Sequence, residues 1–552
     1  MVTGIEPPIL DNVLSRLTIF LQKDNERLQK NAVRRLHAKA EEDIRQALAP
    51  FGYYNPLIDS SLVKLEAGWR AEYTIDKGVP LLVETVDLQL TGAGRENKKL
   101  LDALSLFPLT AGKVLNQVDY ETEKKKLVNL AIAEGYLDAL FSLKRLQINP
   151  RNNSGTIALT LNTGPRYLFG ETTCLDNILR GSHLERYLPY KEGDPYSSAK
   201  LFELQSILYK TDYFSKVVVS GKVDRIVGLD VPVEIELVSP DHLNKYSVGA
   251  GYGTDTGVRG KVDWDNRFFN DRGHRISASL QLAELEKTIS LSYEVPREKN
   301  PRFDKVVHNL AYQDKTWEDT TTRLLTGAVS REYSGPRFKL GVGLEARAEV
   351  YDIGDTSGTS TLLLPSVNLG LVIADDILNT KHGLQASVGV KGAVEGAFSD
   401  ATFLQATVNG KAIITPYETI RIIGRVSVGA TLVDSIDSLP PSLRFYTGGD
   451  STIRGYSYKS IGTTDSSGTV IGGRYLIVES IEVEKTFGKY WSLAAFWDGG
   501  TATDDLELDY YQGVGGGLRF RLPFGQIRLD VASAITEDGY PVRAHLTVGG
   551  DL

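Results

Sequence analysis

The stretch Phe445–Tyr456, FYTGGDSTIRGY, decides how the rest of the chain is read. It lies in a polar segment, Asp434 to Val470, between two runs with strand character. Connections that long are uncommon and are either functional or disordered. Here Gly448-Gly449-Asp450 and Ile453-Arg454-Gly455-Tyr456 read as an ordered loop with sharp turns. A guanidinium is always charged and offers a planar fork of donors suited to carboxylates. Once buried, it needs acidic partners to offset its lost hydration. The next two strands offer them. Ser480, Glu482 and Glu484 share one face of their strand, opposite Ile481 and Val483, and Asp498 lies opposite Trp497 on the strand after. Glu482 and Asp498 are therefore the expected inner-wall partners of Arg454.

Outward from this loop, the C-terminal part of the chain, 244–552, alternates with period two. Phe338, Leu340, Val342, Leu344, Ala346 and Ala348 alternate with Lys339, Gly341, Gly343, Glu345 and Arg347. Ile289 to Val295 and Leu384 to Val390 do the same. One apolar face and one charged face, repeated in strands of about ten residues, is the pattern of a membrane barrel with a wet interior. Sixteen strands are expected, starting near Tyr246, Arg259, His274, Lys287, Phe303, Thr322, Arg337, Ser360, Lys381, Ala401, Thr419, Ile471, Tyr490, Tyr511, Gly525 and Tyr540. An even number suits a closed antiparallel barrel, which has no sheet edges. Gly513–Gly517 superficially suggests a nucleotide loop, but it runs into the alternating Leu518-Arg519-Phe520-Arg521 and so reads as a glycine-rich barrel strand.

The first 243 residues are different. Charged helices are expected over Asn25–Ala49, Asp119–Glu134 and Ser198–Lys210, each followed by an aromatic turn and strands. The turns Gly52-Tyr53-Tyr54, Gly135-Tyr136 and Asp212-Tyr213-Phe214 recur at a spacing of about eighty residues, as do Pro108–Gly112 and Pro189–Gly193 ahead of the second and third helices. Self-similarity at a fixed period means tandem copies of one unit. Three small α/β modules follow, 1–80, 81–166 and 167–243, ordered strand, helix, helix, strand, strand. The first has lost most of its opening strand.

Composition narrows the function. A net charge of −8 argues against nucleic acid as a partner. The seven histidines have no metal-ligand spacing, no nucleophile motif is present, and Cys174, the only cysteine, reads as a small core residue. No enzyme, cofactor or metal is expected. No run approaches the roughly 18 apolar residues of a spanning helix, which does not count against a barrel. The opening MVTGIEPPIL has no signal-peptide character, and with Met1 the sole methionine it reads as a processed form with an added start.

The loop motif Ile453, Arg454, Gly455, Tyr456, followed by Gly472-Gly473 before an acidic strand and by an aromatic strand ending Asp498-Gly499-Gly500, resembles the lumenal-loop signature and companion motifs of the outer-membrane assembly and secretion barrels, the family of BamA, TamA and FhaC. The tandem units resemble the POTRA module. Three modules, with LNQVDYE, YKEGD, LPPSLRFYTGGDSTIRGYSYKSI and the terminal GGDL, are most similar to the TamA branch, and the resemblance covers essentially the whole chain. It implies a Gram-negative outer-membrane protein with modules in the periplasm. It implies a translocation and assembly module subunit that helps insert or translocate autotransporters and other outer-membrane proteins. Unfolded clients, outer-membrane lipids and a TamB-like inner-membrane-anchored protein would be its partners. The implied mechanism is a lateral gate between the first and last barrel strands, where Gly249, Gly251, Gly253, Gly549 and Gly550 weaken the pairing. A two-partner secretion pore or a lipid-transport component is the alternative, although the plug helix and double repeat usual in secretion pores are not evident. A passive porin would need no periplasmic arm. The chain ends in Leu552 where many outer-membrane strands end in an aromatic residue.

Overall fold

The computed structural model describes residues 1–549 except 26, 67, 176–180, 255–256, 298–300, 378–379, 506–508 and 523–524. Its N-terminal part holds three small three-stranded sheets. The first orders Val2–Thr3, Gly68–Asp76 and Leu57–Leu65, the second Leu82–Thr91, Ser154–Asn162 and Leu140–Asn149, the third Leu168–Cys174, Asp230–Val238 and Lys216–Gly221. In each, the opening strand runs parallel to the last, which sits in the centre. Parallel neighbours need a crossover, and helices supply it: Lys30–Leu48 in the first unit, Lys98–Ser105 and Gln117–Ala133 in the second, Ser198–Lys210 in the third. The opening strand of the first unit is only two residues long.

Local chemistry fixes these helices. Asn97 and Asn116 cap theirs, accepting from the N–H groups of Leu100 and Val118. The repeated aromatic turn begins at a left-handed residue, Gly52 at φ 89° and Gly135 at φ 94°. In the third unit Asp212 takes that place at φ 59°, one of the few side chains that tolerate it. Each apolar helix face then packs on its sheet. In the second unit Leu81, Leu100, Leu115, Leu127, Ile157 and Leu159 form the centre of the core. In the first, Ile44 and Leu48 meet Tyr73 and Ile75; burial, then Asp43, push the Tyr73 phenol up to about 12.

The C-terminal part is one antiparallel sheet of sixteen strands, from Asn244–Gly253 to Val542–Gly549. The expected strand starts lie close to the observed ones, with the widest offsets at Ser360, against Thr356, and Ile471, against Tyr475. The pattern is inverted relative to a soluble sheet. On Phe338–Ile353, Leu344 is 47% exposed while Arg347 is 6% exposed. Exposed apolar side chains recur at alternate positions on neighbouring strands, as at Ile289, Leu291, Leu310, Leu325, Val329, Val367, Leu369, Leu384 and Val388. A continuous greasy outer face with a charged lining is what hydrocarbon outside and water inside require. Among the described residues, the ladder of hydrogen bonds runs from the first strand to the sixteenth, and none joins the sixteenth back to the first.

Candidate functional site

The eleventh barrel strand, Ile420–Leu432, pairs directly with the twelfth, Tyr475–Phe487, so the whole intervening segment leaves the wall as a loop. Short 310 turns at Ile436–Ser438 and Pro441–Leu443 begin it. Its centre is buried: Ile453 and Tyr456 pack with Ile461, Val478 and Ala534, and the Tyr456 hydroxyl donates to Gln512 O at 3.2 Å.

Arg454 is 3% exposed. It forks onto Asp498, Nε to Oδ2 at 2.7 Å and Nη2 to Oδ1 at 2.9 Å, and its own backbone N–H reaches Oδ2 at 3.1 Å. Nη1 donates to Glu482 at 2.8 Å and to Asp530 at 3.1 Å. The guanidinium carbon lies 3.3 Å from the centre of the Phe496 ring, so the ring faces the cation while carboxylates fill its donors in the plane. The parity of strands twelve and thirteen thus brings together the three residues singled out in the sequence. Ile453, Gly455 and Tyr456 lie on the same buried stretch.

Sequence reasoning missed the rest of the network. Asp530 comes from the fifteenth strand, Gly525–Ala534, and Arg519 from the fourteenth, Tyr511–Leu522. Arg519 donates to Glu482 at 2.7 Å and also bonds Asp530. Arg421 donates to Glu484 at 2.6 Å; Arg425 lies 3.7 Å from Asp498, which also accepts from Ser480 at 2.6 Å. Each of the four buried carboxylates, Glu482, Glu484, Asp498 and Asp530, therefore lies within ion-pair range of at least two arginines. Charges removed from bulk water survive only with such mutual compensation. Inward parity on Gly525–Ala534 was the signal available for Asp530.

The glycine run on the fourteenth strand makes room for this contact. A Cβ at Gly513 would lie 2.0 Å from the Arg454 carbonyl oxygen, and one at Gly517 would collide with Asp530. Gly455, at φ 101°, turns the loop backbone against Ser533 and Ala534.

A second contact holds the loop elsewhere. Lys459, left-handed at φ 58°, places its ammonium 3.6 Å from the Trp317 ring centre and 5.0 Å from that of Tyr446. Nearer the loop's start, Ser442 N–H donates to Glu349 at 3.3 Å, and Glu349 pairs with Arg347 at 3.1 Å.

Of the seam residues, Gly249, Gly251 and Gly253 lie on the first strand and Gly549 on the sixteenth, while Gly550 lies outside the described residues. Thr254 lies beside the sixteenth strand: its Oγ1 accepts from Leu546 N–H at 3.4 Å.

Comparison with known proteins places this architecture. Residues 269–549 match the Omp85 superfamily domain, which is half of the chain. The chain belongs to the Omp85 superfamily. Residues 1–77 match the model described as POTRA domain TamA domain 1. Similar curated proteins include the outer membrane protein assembly factor BamA of Neorickettsia risticii, 24% identical over 67% of this chain and 52% of that protein. BamA of Nitratidesulfovibrio vulgaris is 26% identical over 62% of this chain and 45% of that protein. The chain thus spans about half the length of the curated relatives it matches. In fold it resembles the crystal structure of BamA from Haemophilus ducreyi lacking POTRA domains 1–3, with a TM-score of 0.71 at 15% identity, over 84% of this chain and 99% of that one.

Proposed function

We propose that this Omp85 protein is a translocation and assembly module subunit of TamA type, set in a bacterial outer membrane with modules 1–80, 81–166 and 167–243 in the periplasm. It inserts or translocates autotransporters and other outer-membrane proteins by parting its seam, with no chemical step. The observation that carries the reading is a barrel with an internal arginine-locked loop and no ladder between its end strands among the described residues. An unpaired pair of strand ends can template a client strand by β-augmentation. The match of residues 1–77 to a TamA-type first module favours a TamB-like inner-membrane-anchored partner over an exoprotein-specific pore.

The test is to deplete the protein and measure the outer-membrane proteome and lipid composition in parallel. Loss of autotransporters at unchanged lipid composition is expected. Altered lipids with normal client levels would replace the reading with lipid transport. A Thr254→Cys, Leu546→Cys disulfide in a Cys174→Ser background, placed where the residue just beyond the first strand touches the sixteenth, should stop insertion until reduced. Full activity with the disulfide closed would sink the seam mechanism.

A further inference from the structure

The loop reaches both sides of the seam at once. His545 on the sixteenth strand is 1% exposed and sits across from Asp530 in the ladder. The backbone N–H of Gly455 donates to its Nε2 at 3.0 Å. A ring nitrogen that accepts carries no proton, so the neutral ring holds its proton on Nδ1. Nδ1 is hydrogen-bonded to the Asp450 carboxylate, which accepts. Asp450 belongs to the same loop, four residues before Arg454. Its carboxylate also accepts from Thr254 Oγ1 at 3.5 Å, and Thr254 in turn accepts from Leu546 N–H at 3.4 Å. Each of these last two bonds is long and weak on its own. Together they close a chain from the loop motif through the last strand and the loop's acidic residue to the residue just beyond the first strand.

We propose that His545 is a positioning residue that makes the docked loop the clasp of the seam: Gly455 sets its tautomer, its Nδ1–H holds Asp450, and Asp450 holds Thr254. Where the end strands lack a ladder among the described residues, loop residues supply the bridging bonds. Loop docking and seam closure are then one event. Undocking Arg454 pulls Gly455 off His545, and Asp450 loses its place between the strands. The inference deepens the seam mechanism proposed above, and its test measures the seam without clients or partner, so the two can fail separately.

The experiment uses the full chain in lipid bilayers, with Cys174→Ser and nitroxides on Val248→Cys and Val542→Cys, both on exposed positions of the end strands. Electron–electron resonance reads the fraction of widely separated pairs. Arg454→Ala and His545→Phe should each raise that fraction about tenfold, the scale of a lost hydrogen bond to a charged group. The double variant should open no further than either alone, and His545→Gln, which keeps a donor and an acceptor, should recover most of the closure. Thr254→Val should open the seam less while trypsin protection at Arg454 stays as in the parent. A merely structural His545 would lower the heat-modification temperature without this non-additivity. Multiplying effects in the double variant, or unchanged distances in His545→Phe, would overturn the proposal. Should His545→Phe fail to assemble, the same cycle run with Thr254→Val and Arg454→Ala decides: the threonine's effect must vanish once the loop is undocked.

Discussion

At Arg454 the loop meets the wall through charge, and at Lys459 through the aromatic face of Trp317. The first cation is enclosed by three carboxylates and a ring and is almost inaccessible. The second is partly exposed and rests on Trp317 and Tyr446. A guanidinium can fill a ring of carboxylates because its donors point in fixed in-plane directions. An ammonium has no such fork, and a ring face asks for none. The difference teaches how one loop can be anchored firmly and still be released. Buried ion pairs define a single seated geometry and resist partial opening, whereas a cation over aromatic rings tolerates sliding. The two anchors also face different strands. Arg454 binds the twelfth, thirteenth and fifteenth, towards the end of the sheet, and Lys459 meets Trp317 on the fifth.

The sharpest way to break this contrast is to remove the charged anchor. Arg454→Ala leaves Asp498 without its fork and Asp530 and Glu482 with Arg519 alone. Breaking a buried pair from one side costs about 3–5 kcal/mol, so the loop should undock. Client insertion should fall far more than barrel assembly, read by heat modification, and trypsin should cut the loop in folded protein. Arg454→Lys should recover only a small part, since it loses the bidentate geometry. Intact docking in Arg454→Ala would mean that Ile453 and Tyr456 seat the loop unaided.

A smaller effect is expected from the wall. Gly513→Ala puts a methyl where the Arg454 carbonyl lies, and overpacking of this kind costs about 1–3 kcal/mol. Arg454 keeps all its acids, so insertion should drop while the ion pairs re-form at a shifted position. Gly516→Ala, whose Cβ would meet only the Ala494 carbonyl at 3.2 Å, is the control and should be milder. Equal effects at the two glycines would show that strand flexibility, and not room for the loop, is what the run provides.

These two positions also mark what the sequence made legible. Period two exposed the barrel and its strand count, because every strand repeats the same local rule. The pairing of Arg454 with Glu482 and Asp498 could be read from parity on adjacent strands. Arg519 and Asp530 follow the same parity, but they lie two and three strands beyond that of Glu482, and only the depth of the loop in the lumen brings Asp530 to Arg454. Gly513–Gly517 was readable as a strand, yet Gly513 answers to a loop backbone some sixty residues earlier in the chain. His545 and Asp450 carried no pairing pattern, since a lone histidine and a turn aspartate meet only when the loop is seated against the last strand. Local periodicity reports on the wall, and the loop's path depends on contacts that no local rule encodes.

The weakest anchor gives the finest test. Lys459 carries two opposed terms: a cation over rings, worth about 0.5–2 kcal/mol, and a left-handed backbone, which costs a non-glycine residue about 1–2 kcal/mol. Lys459→Ala removes the favourable term and keeps the strained one, so loop protection against a protease that cleaves elsewhere in 434–470 should weaken several-fold. Lys459→Gly removes both, at some added cost in unfolded-state entropy, so its protection should lie between that of Ala and the parent. Both should leave insertion far less impaired than Arg454→Ala. If glycine proved worse than alanine, the φ of 58° would not be strained in the docked loop. If either variant matched Arg454→Ala, the aromatic seat would be as firm as the charged one, and the asymmetry between the two anchors would be gone.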